Sequence, residues 1–302
     1  MLFLWIIFFV LVFLFAAGTY FALKILKPQV QSPEQSYHRE IEAGKFTDEV
    51  FQALTKQEVW IPSRYGYKLH GLYIPLEGSH KAVVISHGIQ ATLFSTVKFA
   101  LMFRSLGFHV LLYDLRAHGA SGGKNSTFGY YEKYDLRTMV EWTFMRLGPG
   151  ALVGTMGESL GGAITIQHAA IDPRVAFCIA LSSFSDLKQL FIYRFKYEYK
   201  LPLFPFLQLA DFMTTILSGM SFSAVSPLMD MWEISLPVML IHGKKDGYVP
   251  VQMSKDLFEA KLKGIRSIYL PDDAGHADPF TINREEFTRQ VRSFLEKIGM
   301  LD

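Results

Sequence analysis

The chain has 302 residues, and its 30 basic and 28 acidic side chains give a formal net charge of +2. Nucleic-acid binding normally needs basic residues clustered on one face, and this balance of charges does not indicate such a face. We therefore expect no nucleic-acid partner. The single cysteine, Cys178, excludes an intramolecular disulfide, and its place in the apolar run 175–181 predicts a buried strand residue rather than a reactive thiol. A chain of this length can form one α/β domain with an insertion.

The first 23 residues contain no charged side chain. A helix of that length reaches about 34 Å, enough to cross a hydrocarbon layer about 30 Å thick. A cleaved signal peptide and a buried helix are the alternatives, but a signal peptide begins with a positive region and has a shorter apolar stretch. We therefore expect residues 1–26 to be a retained transmembrane anchor in the bilayer. Lys24 and Lys27 follow the span and no cation precedes it, so the positive-inside rule places the rest of the chain in the cytoplasm.

The remainder of the chain divides at about residue 58. Residues 27–58 are polar and are interrupted by Pro28, Pro33 and Gly44, which is typical of a stalk or a peripheral helix. Residues 59–302 alternate between short apolar runs and amphipathic ones. Strands are predicted at 59–62, 69–75, 82–86, 109–113, 151–156, 175–181, 238–242 and 267–270, and helices at 96–106, 131–147, 161–170 and 284–298. After an antiparallel first pair, this alternation predicts an α/β domain with a mostly parallel sheet and helices on both faces.

A G-x-S-x-G pentapeptide lies between a predicted strand and a predicted helix, at positions 157–161. A serine at such a turn, here Ser159, is exposed as a nucleophile, and Gly157 and Gly161 let the neighbouring backbones pass closely. The alternative is a glycine-rich loop that binds phosphate. Because the pentapeptide lies between a predicted strand and a predicted helix, its context favours catalysis.

A serine hydroxyl needs a base that an acid holds in one tautomer, and in this arrangement the order along the chain is serine, acid, histidine. Asp246 follows the predicted strand at 238–242, and His276 follows the one at 267–270. Parallel sheets place their sites on such loops. The sequence therefore predicts Asp246 as the acid and His276 as the base, with Asp272 and Asp273 as rival acids.

An oxyanion hole needs two backbone N–H groups. One is expected from Leu160, directly after the nucleophile, and the other from Ile89 in the loop after the strand at 82–86, with Gln90 as the alternative. No paired Cys/His spacing and no H-E-x-x-H motif occurs, so we expect no metal and no cofactor.

Several further motifs occur in the order known from one group of enzymes. They are HG at 87–88, DLRAHGASGG at 114–123, GESLGG at 157–162, the segment 237–250, and GH at 275–276. With these motifs, residues 59–302 resemble the serine-aminopeptidase-like and monoacylglycerol-lipase-like branch of the α/β-hydrolases. The resemblance implies an α/β-hydrolase fold and a cofactor-independent acyl hydrolase, usually a carboxylesterase or a lipase. Ala117 departs from the family pattern, which usually has glycine at that place in the loop.

The segment 187–223 lies between two predicted strands, where the resemblance implies a cap over the site. Its aromatic residues are Phe191, Tyr193, Phe195, Tyr197, Tyr199, Phe204, Phe206, Phe212 and Phe222. They either pack the cap onto the core or line an apolar acyl pocket. Within 191–200 aromatic and charged residues alternate, a strand-like period, with a helix of mixed faces as the alternative.

These features predict a membrane-anchored serine hydrolase that cleaves carboxylic esters of lipid-like or medium-chain acyl groups. A peptidase that releases N-terminal residues is one alternative, and it would need an acidic recess, for which Glu158, Asp230 and Glu233 are the candidates. A thioesterase is another. A non-catalytic binding protein would have a broken triad, and all three members are present here.

Overall fold

The computed structural model describes residues 1–200 and 202–301, and for Tyr199 the backbone alone. The predicted cap includes Leu201 and the side chain of Tyr199, and the predicted domain ends at Asp302; these lie outside the described part. The chain begins with helix α1, Leu2–Leu26. Within the described ranges, α1 is the one helix that by itself is long and apolar enough to span a membrane. Two later segments pass that test only as a pair bent by 70°.

In the described part of the chain, eight strands form one sheet. They are β1 (Gln57–Pro62), β2 (Lys68–Ile74), β3 (Lys81–Ser86), β4 (His109–Tyr113), β5 (Leu152–Glu158), β6 (Cys178–Leu181), β7 (Val238–Ile241) and β8 (Arg266–Tyr269). Their order in the sheet is β1-β2-β4-β3-β5-β6-β7-β8. Strand β2 runs antiparallel to β1 and β4, and all other neighbouring pairs are parallel. The prediction of a mostly parallel sheet is confirmed.

Alternate residues of β3 show that both faces of the sheet are covered. Ala82 and Val84 belong to one buried apolar cluster, and Val83 and Ile85 belong to another. Because side chains alternate between the faces of a strand, the two clusters are the two layers between sheet and helices. The central strands β4, β6 and β7 are accordingly buried along their whole length. This pattern is typical of parallel strands in α/β proteins.

The helices alternate with these strands. They are α2 (Pro33–Glu42), α3 (Asp48–Gln52), α4 (Val97–Ser105), α5 (Glu132–Leu147), α6 (Leu160–Ala169), α7 (Leu187–Arg194), α8 (Phe206–Ser218), α9 (Pro227–Met231), α10 (Val251–Ala260), α11 (Pro279–Ile282) and α12 (Arg284–Lys297). Short 3-10 turns occupy Leu93–Thr96 and Phe222–Ala224, and a π-helical turn occupies Phe195–Tyr199. The predicted helices after β3, β4, β5 and β8 correspond to α4, α5, α6 and α12.

The segment between α1 and β1 packs on the domain and is not an extended stalk. Ser32 begins α2 with a capping box, in which its hydroxyl accepts from the Gln35 N–H and the Gln35 side chain accepts from the Ser32 N–H. Phe46 and Phe51 are 5% and 6% exposed and join the core. The burial of these apolar side chains holds the segment down. The division into an anchor at 1–26, a linker at 27–58 and a hydrolase domain at 59–302 stays a prediction. The linker in that division packs against the domain.

The insertion before β7 is helical. The side chain of Asp186 accepts from the Gln189 N–H at 3.0 Å and thereby caps α7. Arg194 and Glu198 form an i,i+4 ion pair that suits the helix continuing into the π-helical turn. The alternation at 191–200 therefore belongs to a helix of mixed faces, and the strand-like period was misleading.

Candidate active site

Ser159 occupies a sharp turn between β5 and α6, with φ +58° and ψ −116°. Such a backbone conformation is strained for a residue with a side chain, and strained residues of this kind concentrate at functional sites. The turn depends on its glycines. A Cβ added to Gly157 would lie 2.0 Å from the carbonyl oxygen of Gly161, and one added to Gly161 would lie 2.1 Å from that of Ser86. Neither position can accept a side chain, so both glycines are required for this turn.

The structure brings together the three residues that the sequence proposed as a triad. The hydroxyl oxygen of Ser159 lies 2.9 Å from Nε2 of His276, and Nδ1 of His276 lies 2.7 Å from Oδ2 of Asp246. When Nδ1 donates its proton to the carboxylate, Nε2 is left as the acceptor for the serine O–H. The imidazole is thereby oriented so that it can remove the proton of Ser159.

Asp246 is held as a carboxylate by several donors. Its Oδ1 accepts the N–H groups of Tyr248 and Val249, both at 2.8 Å. Its Oδ2 also lies 3.0 Å from Nε2 of His242, in addition to its bond with His276. Burial acts to raise the pKa of Asp246, but the bonds from His242 and His276 outweigh it and hold the pKa well below the usual range. The sequence did not single out His242, although its place four residues before Asp246, at the end of β7, was a usable signal.

The two rival aspartates face solvent. Asp272 and Asp273 have side chains that are 80% and 78% exposed, and each forms an ion pair with a lysine at 2.6 Å. Asp246, in contrast, has a fully buried side chain. Among the described residues, Asp246 is the one of the three candidate acids that forms a hydrogen bond with the imidazole of His276.

The loops after β6, β7 and β8 are packed against each other and thereby fix the position of His276. The N–H of Lys245 donates to the carbonyl of Ala274 at 2.9 Å, and a Cβ added to Gly243 would lie 2.2 Å from that same oxygen. The N–H of Ala277 donates to the hydroxyl of Ser182 at 3.1 Å. Ser182, which sequence reasoning also missed, therefore connects the histidine loop to the end of β6.

The two expected oxyanion donors belong to segments that adjoin Ser159. Leu160 is the first residue of α6, so its N–H has no acceptor within the helix. Ile89 follows Gly88, where an added Cβ would be 3.5 Å from the Cβ of Ser159, so this loop lies directly against Ser159. Gln90, the alternative donor, has φ +65°. The assignment of Leu160 and Ile89 as donors stays a prediction.

His87 is fully buried and holds the loop that carries Ile89. Its Nδ1 donates to the carbonyl of Gly88 at 2.7 Å, and its Nε2 accepts the N–H of Leu115 at 2.9 Å. Burial, reinforced by nearby His118, lowers the pKa of His87 to about 4. The imidazole is therefore neutral at pH 7 and can accept one bond while it donates the other, which joins the loops after β3 and β4.

A cavity of about 360 Å³ opens over Ser159. Its apolar lining comes from the core, from the cap and from α1: Phe21, Ile25, Ile89, Phe128, Leu160, Phe184, Leu190, Phe191, Phe195 and Val249. Its charged lining residues are Lys24, Lys27, Arg194 and Glu198. Arg194 is paired with Glu198 at 2.6 Å and lies over the ring of Tyr248 at 3.9 Å. The balance of charge around the cavity is thus positive. Sequence reasoning did not foresee that α1 would contribute to it.

The chain is similar to several known proteins. The solved structure of the esterase Pf2001 from Pyrococcus furiosus matches with a TM-score of 0.67 and 25% identity, covering 83% of this chain and 95% of that chain. A family described as serine aminopeptidase, S33, matches residues 77–224. An uncharacterized protein of Bacillus subtilis, YqkD, is 33% identical over 286 residues, which cover 94% of this chain and 93% of that protein. The chain belongs to the α/β-hydrolase superfamily.

The predicted α/β-hydrolase fold is therefore confirmed, and the chain is a hydrolase. Another relative in this superfamily is the lysophosphatidylserine lipase ABHD12 of Macaca fascicularis. It is 27% identical over 263 residues, which cover 80% of this chain and 63% of that protein.

The acidic residues that a peptidase reading would need do not line the cavity of this α/β-hydrolase. Glu158 is paired with Lys98 at 2.6 Å in the interior. Glu233 is exposed and lies 3.4 Å from Lys263. Asp230 is partly buried, and burial raises its pKa to about 6. Among the described residues that line the cavity, the one carboxylate is that of Glu198, which is already paired with Arg194.

Proposed function

We propose that this hydrolase is a serine esterase that cleaves carboxylic esters of lipid-like or medium-chain acyl groups through an acyl-enzyme on Ser159. The observation that carries the proposal is the pair of hydrogen bonds that links Ser159, His276 and Asp246 beneath a cavity with apolar walls. The hydrogen bonds from His242, His276 and the Val249 N–H keep Asp246 ionised in spite of its burial, so it can stabilise an imidazolium that forms on His276. The reaction is cofactor-independent in this proposal.

In the first half of the reaction, Nε2 of His276 takes the proton of Ser159, whose oxygen attacks the ester carbonyl carbon. The N–H groups of Leu160 and Ile89 stabilise the oxyanion of the tetrahedral intermediate. His276 then gives its proton to the leaving alkoxide, and the alcohol departs. In the second half, His276 deprotonates a water molecule that attacks the acyl-enzyme, which releases the carboxylic acid and restores the serine.

The acyl preference follows from the walls of the cavity. Phe128, Phe184, Leu190, Phe191 and Phe195 lie on the lining near Ser159 and offer hydrocarbon rather than hydrogen-bonding groups. An apolar pocket with a few polar groups is the usual form of a site for such ligands. The lipase among the relatives is in keeping with a lipid-like substrate. Of the two roles open to the cap aromatics, Phe191 and Phe195 serve both, because they are buried and also line the cavity.

The apolar helix α1 supports a membrane location. We propose that it anchors the protein in a bilayer, with the hydrolase domain on the cytoplasmic side where Lys24 and Lys27 would lie. Retention of the full chain in the pellet after alkaline carbonate extraction is the expected result. Release into the supernatant would contradict the anchor.

The serine-aminopeptidase family name makes a peptidase the second candidate. A peptidase that releases N-terminal residues must bind the ammonium group of its substrate, and the cations around this cavity oppose that charge. A thioester would be attacked in the same way as an ester. Assays with aminoacyl-nitroanilides and with acyl thioesters beside oxygen esters therefore compare the three activities. Faster cleavage of the nitroanilides would replace the esterase with a peptidase.

The site itself is tested by labelling the full chain with a fluorophosphonate probe. The native chain should be labelled and Ser159→Ala should not, because the probe reacts with an activated serine. In a series of nitrophenyl esters of increasing chain length, we expect medium-chain esters to be preferred. Labelling that persists in Ser159→Ala would remove the site assignment, and a preference for acetate would remove the proposed acyl class.

A further inference from the structure

The second half of α1 is packed against the cap. Gly18, Ala22 and Leu26 are buried, at a spacing of four residues that places them on one face of the helix, whereas the first turns are exposed. A Cβ added to Gly18 would lie 3.0 Å from the Cβ of Leu209 and 3.1 Å from its carbonyl oxygen. The backbones of α1 and α8 therefore approach each other closely, as at small-residue crossings between membrane helices.

Aromatic contacts extend this interface towards the site. The ring of Phe21 lies 5.2 Å from that of Phe195 and 6.3 Å from that of Phe206. Phe206 is on α8, whereas Phe195 follows α7 and itself lines the cavity. Since Gly18 faces Leu209 and Phe21 faces Phe206, α1 and α8 run antiparallel. The end of α1 reaches the cavity, because Lys24 and Ile25 belong to its lining.

The residues at the end of α1 and just after it also form hydrogen bonds with loops near the site. The carbonyl of Leu26 accepts the N–H of Ser126 at 2.9 Å, and the N–H of Gln31 donates to the carbonyl of Gln90 at 3.1 Å. Gln90 adjoins Ile89, the expected oxyanion donor. A helix that served only as a tether would need none of these contacts, and a flexible link would follow it.

These contacts place Phe21 and Ile25 on the lining of the cavity that also holds Ser159. Resting on the esterase function proposed above, we propose that the last two turns of α1 form a wall of the acyl-binding site and determine which acyl chain fits. The membrane anchor is then part of the specificity machinery. An acyl chain bound over Ser159 contacts Ile25, and the volume of that side chain limits the length of chain that is accommodated.

The test uses opposite changes at one position. Ile25→Ala enlarges the cavity and should favour longer chains, and Ile25→Phe reduces it and should favour shorter ones. Removing or adding contact with one methylene changes kcat/KM by about fourfold. We therefore expect the ratio of kcat/KM for nitrophenyl decanoate to that for nitrophenyl butyrate to rise at least about fourfold in the first variant and to fall by a similar factor in the second. Damage to folding would not move this ratio in opposite directions.

The matched controls are Leu23→Ala and Leu23→Phe in the full chain in nonionic detergent micelles. Leu23 is on the same turn, is 41% exposed and does not line the cavity. Its variants should keep the native ratio within twofold, and fluorophosphonate labelling should confirm a functional serine in all four proteins. Equal ratios in both Ile25 variants, or the same shifts at Leu23, would overturn the specificity wall and leave the esterase intact. A native chain that is neither labelled nor active on any ester would overturn the esterase and the wall together.

Discussion

Two ion pairs have the same N–O distance but differ in burial, so breaking them should change the free energy of unfolding by very different amounts. Lys98 on α4 lies 2.6 Å from Glu158 at the end of β5, and their side chains are 1% and 9% exposed. Lys244 also lies 2.6 Å from Asp272, but these side chains are 47% and 80% exposed. Lys98→Met leaves a buried carboxylate without its partner, which should reduce the free energy of unfolding by about 3–5 kcal/mol. Lys244→Met should change it by less than about 1 kcal/mol, because water and salt screen the exposed pair.

The measurement is urea unfolding of the full chain in nonionic detergent, followed by tryptophan fluorescence. The double variant Lys98→Met with Glu158→Met adds a second criterion, since replacing a buried ion pair by apolar side chains is often close to neutral. It should therefore be more stable than Lys98→Met alone. Equal, small effects of Lys98→Met and Lys244→Met would refute the argument, since the interior pair would then be solvated. A double variant less stable than Lys98→Met would show that the carboxylate is needed for another reason.

Three further predictions concern the site and the pH dependence of stability. Asp246→Asn should reduce kcat for a nitrophenyl ester by about 10³–10⁴-fold, because the imidazole loses its orienting carboxylate, whereas Asp272→Asn should stay within twofold. Gly161→Ala should abolish fluorophosphonate labelling, because the added Cβ would overlap the backbone. Gly247→Ala is the control, since nothing lies within 4 Å of its added Cβ, and this variant should keep the labelling and the melting temperature of the native chain. Equal labelling of the two variants would contradict the steric argument. Burial raises the pKa of Asp230 from 3.8 to about 6. The folded state therefore binds the proton more tightly than the unfolded state, and the resulting contribution to the free energy of unfolding is fully present below about pH 4 and is lost as the pH rises through 6. The stability of Asp230→Asn relative to the native chain should thus rise by up to about 3 kcal/mol between pH 4 and pH 7, and parallel pH profiles in urea unfolding would refute the assignment.

Local patterns were enough to predict the fold and the strand-to-helix turn that holds Ser159, the proposed nucleophile. The G-x-S-x-G segment carries its own context, because the strand before it and the helix after it are encoded within about ten residues on each side. The positions of Asp246 and His276 could be predicted for a related reason. Each directly follows an apolar run, and the carboxyl ends of parallel strands meet at one edge of the sheet. The prediction of parallel strands was therefore enough to expect that three distant side chains would meet.

Contacts between distant segments were decided by the tertiary structure alone. The sequence marks residues 1–26 as apolar, but it does not show that Gly18 faces Leu209 or that Ile25 lines the cavity, since a helix with apolar residues on every side carries no pattern that selects one face. The packing of Phe46 and Phe51 and the approach of His242 to Asp246 are of the same kind. The alternation of aromatic and charged residues at 191–200 did not decide between strand and helix. The cap from Asp186 and the Arg194–Glu198 ion pair favour the helix, and the polarity of the side chains does not reveal these contacts. The periodicity of apolar residues indicates which face of a segment is buried. Which other segments cover that face depends on the packing of the whole chain.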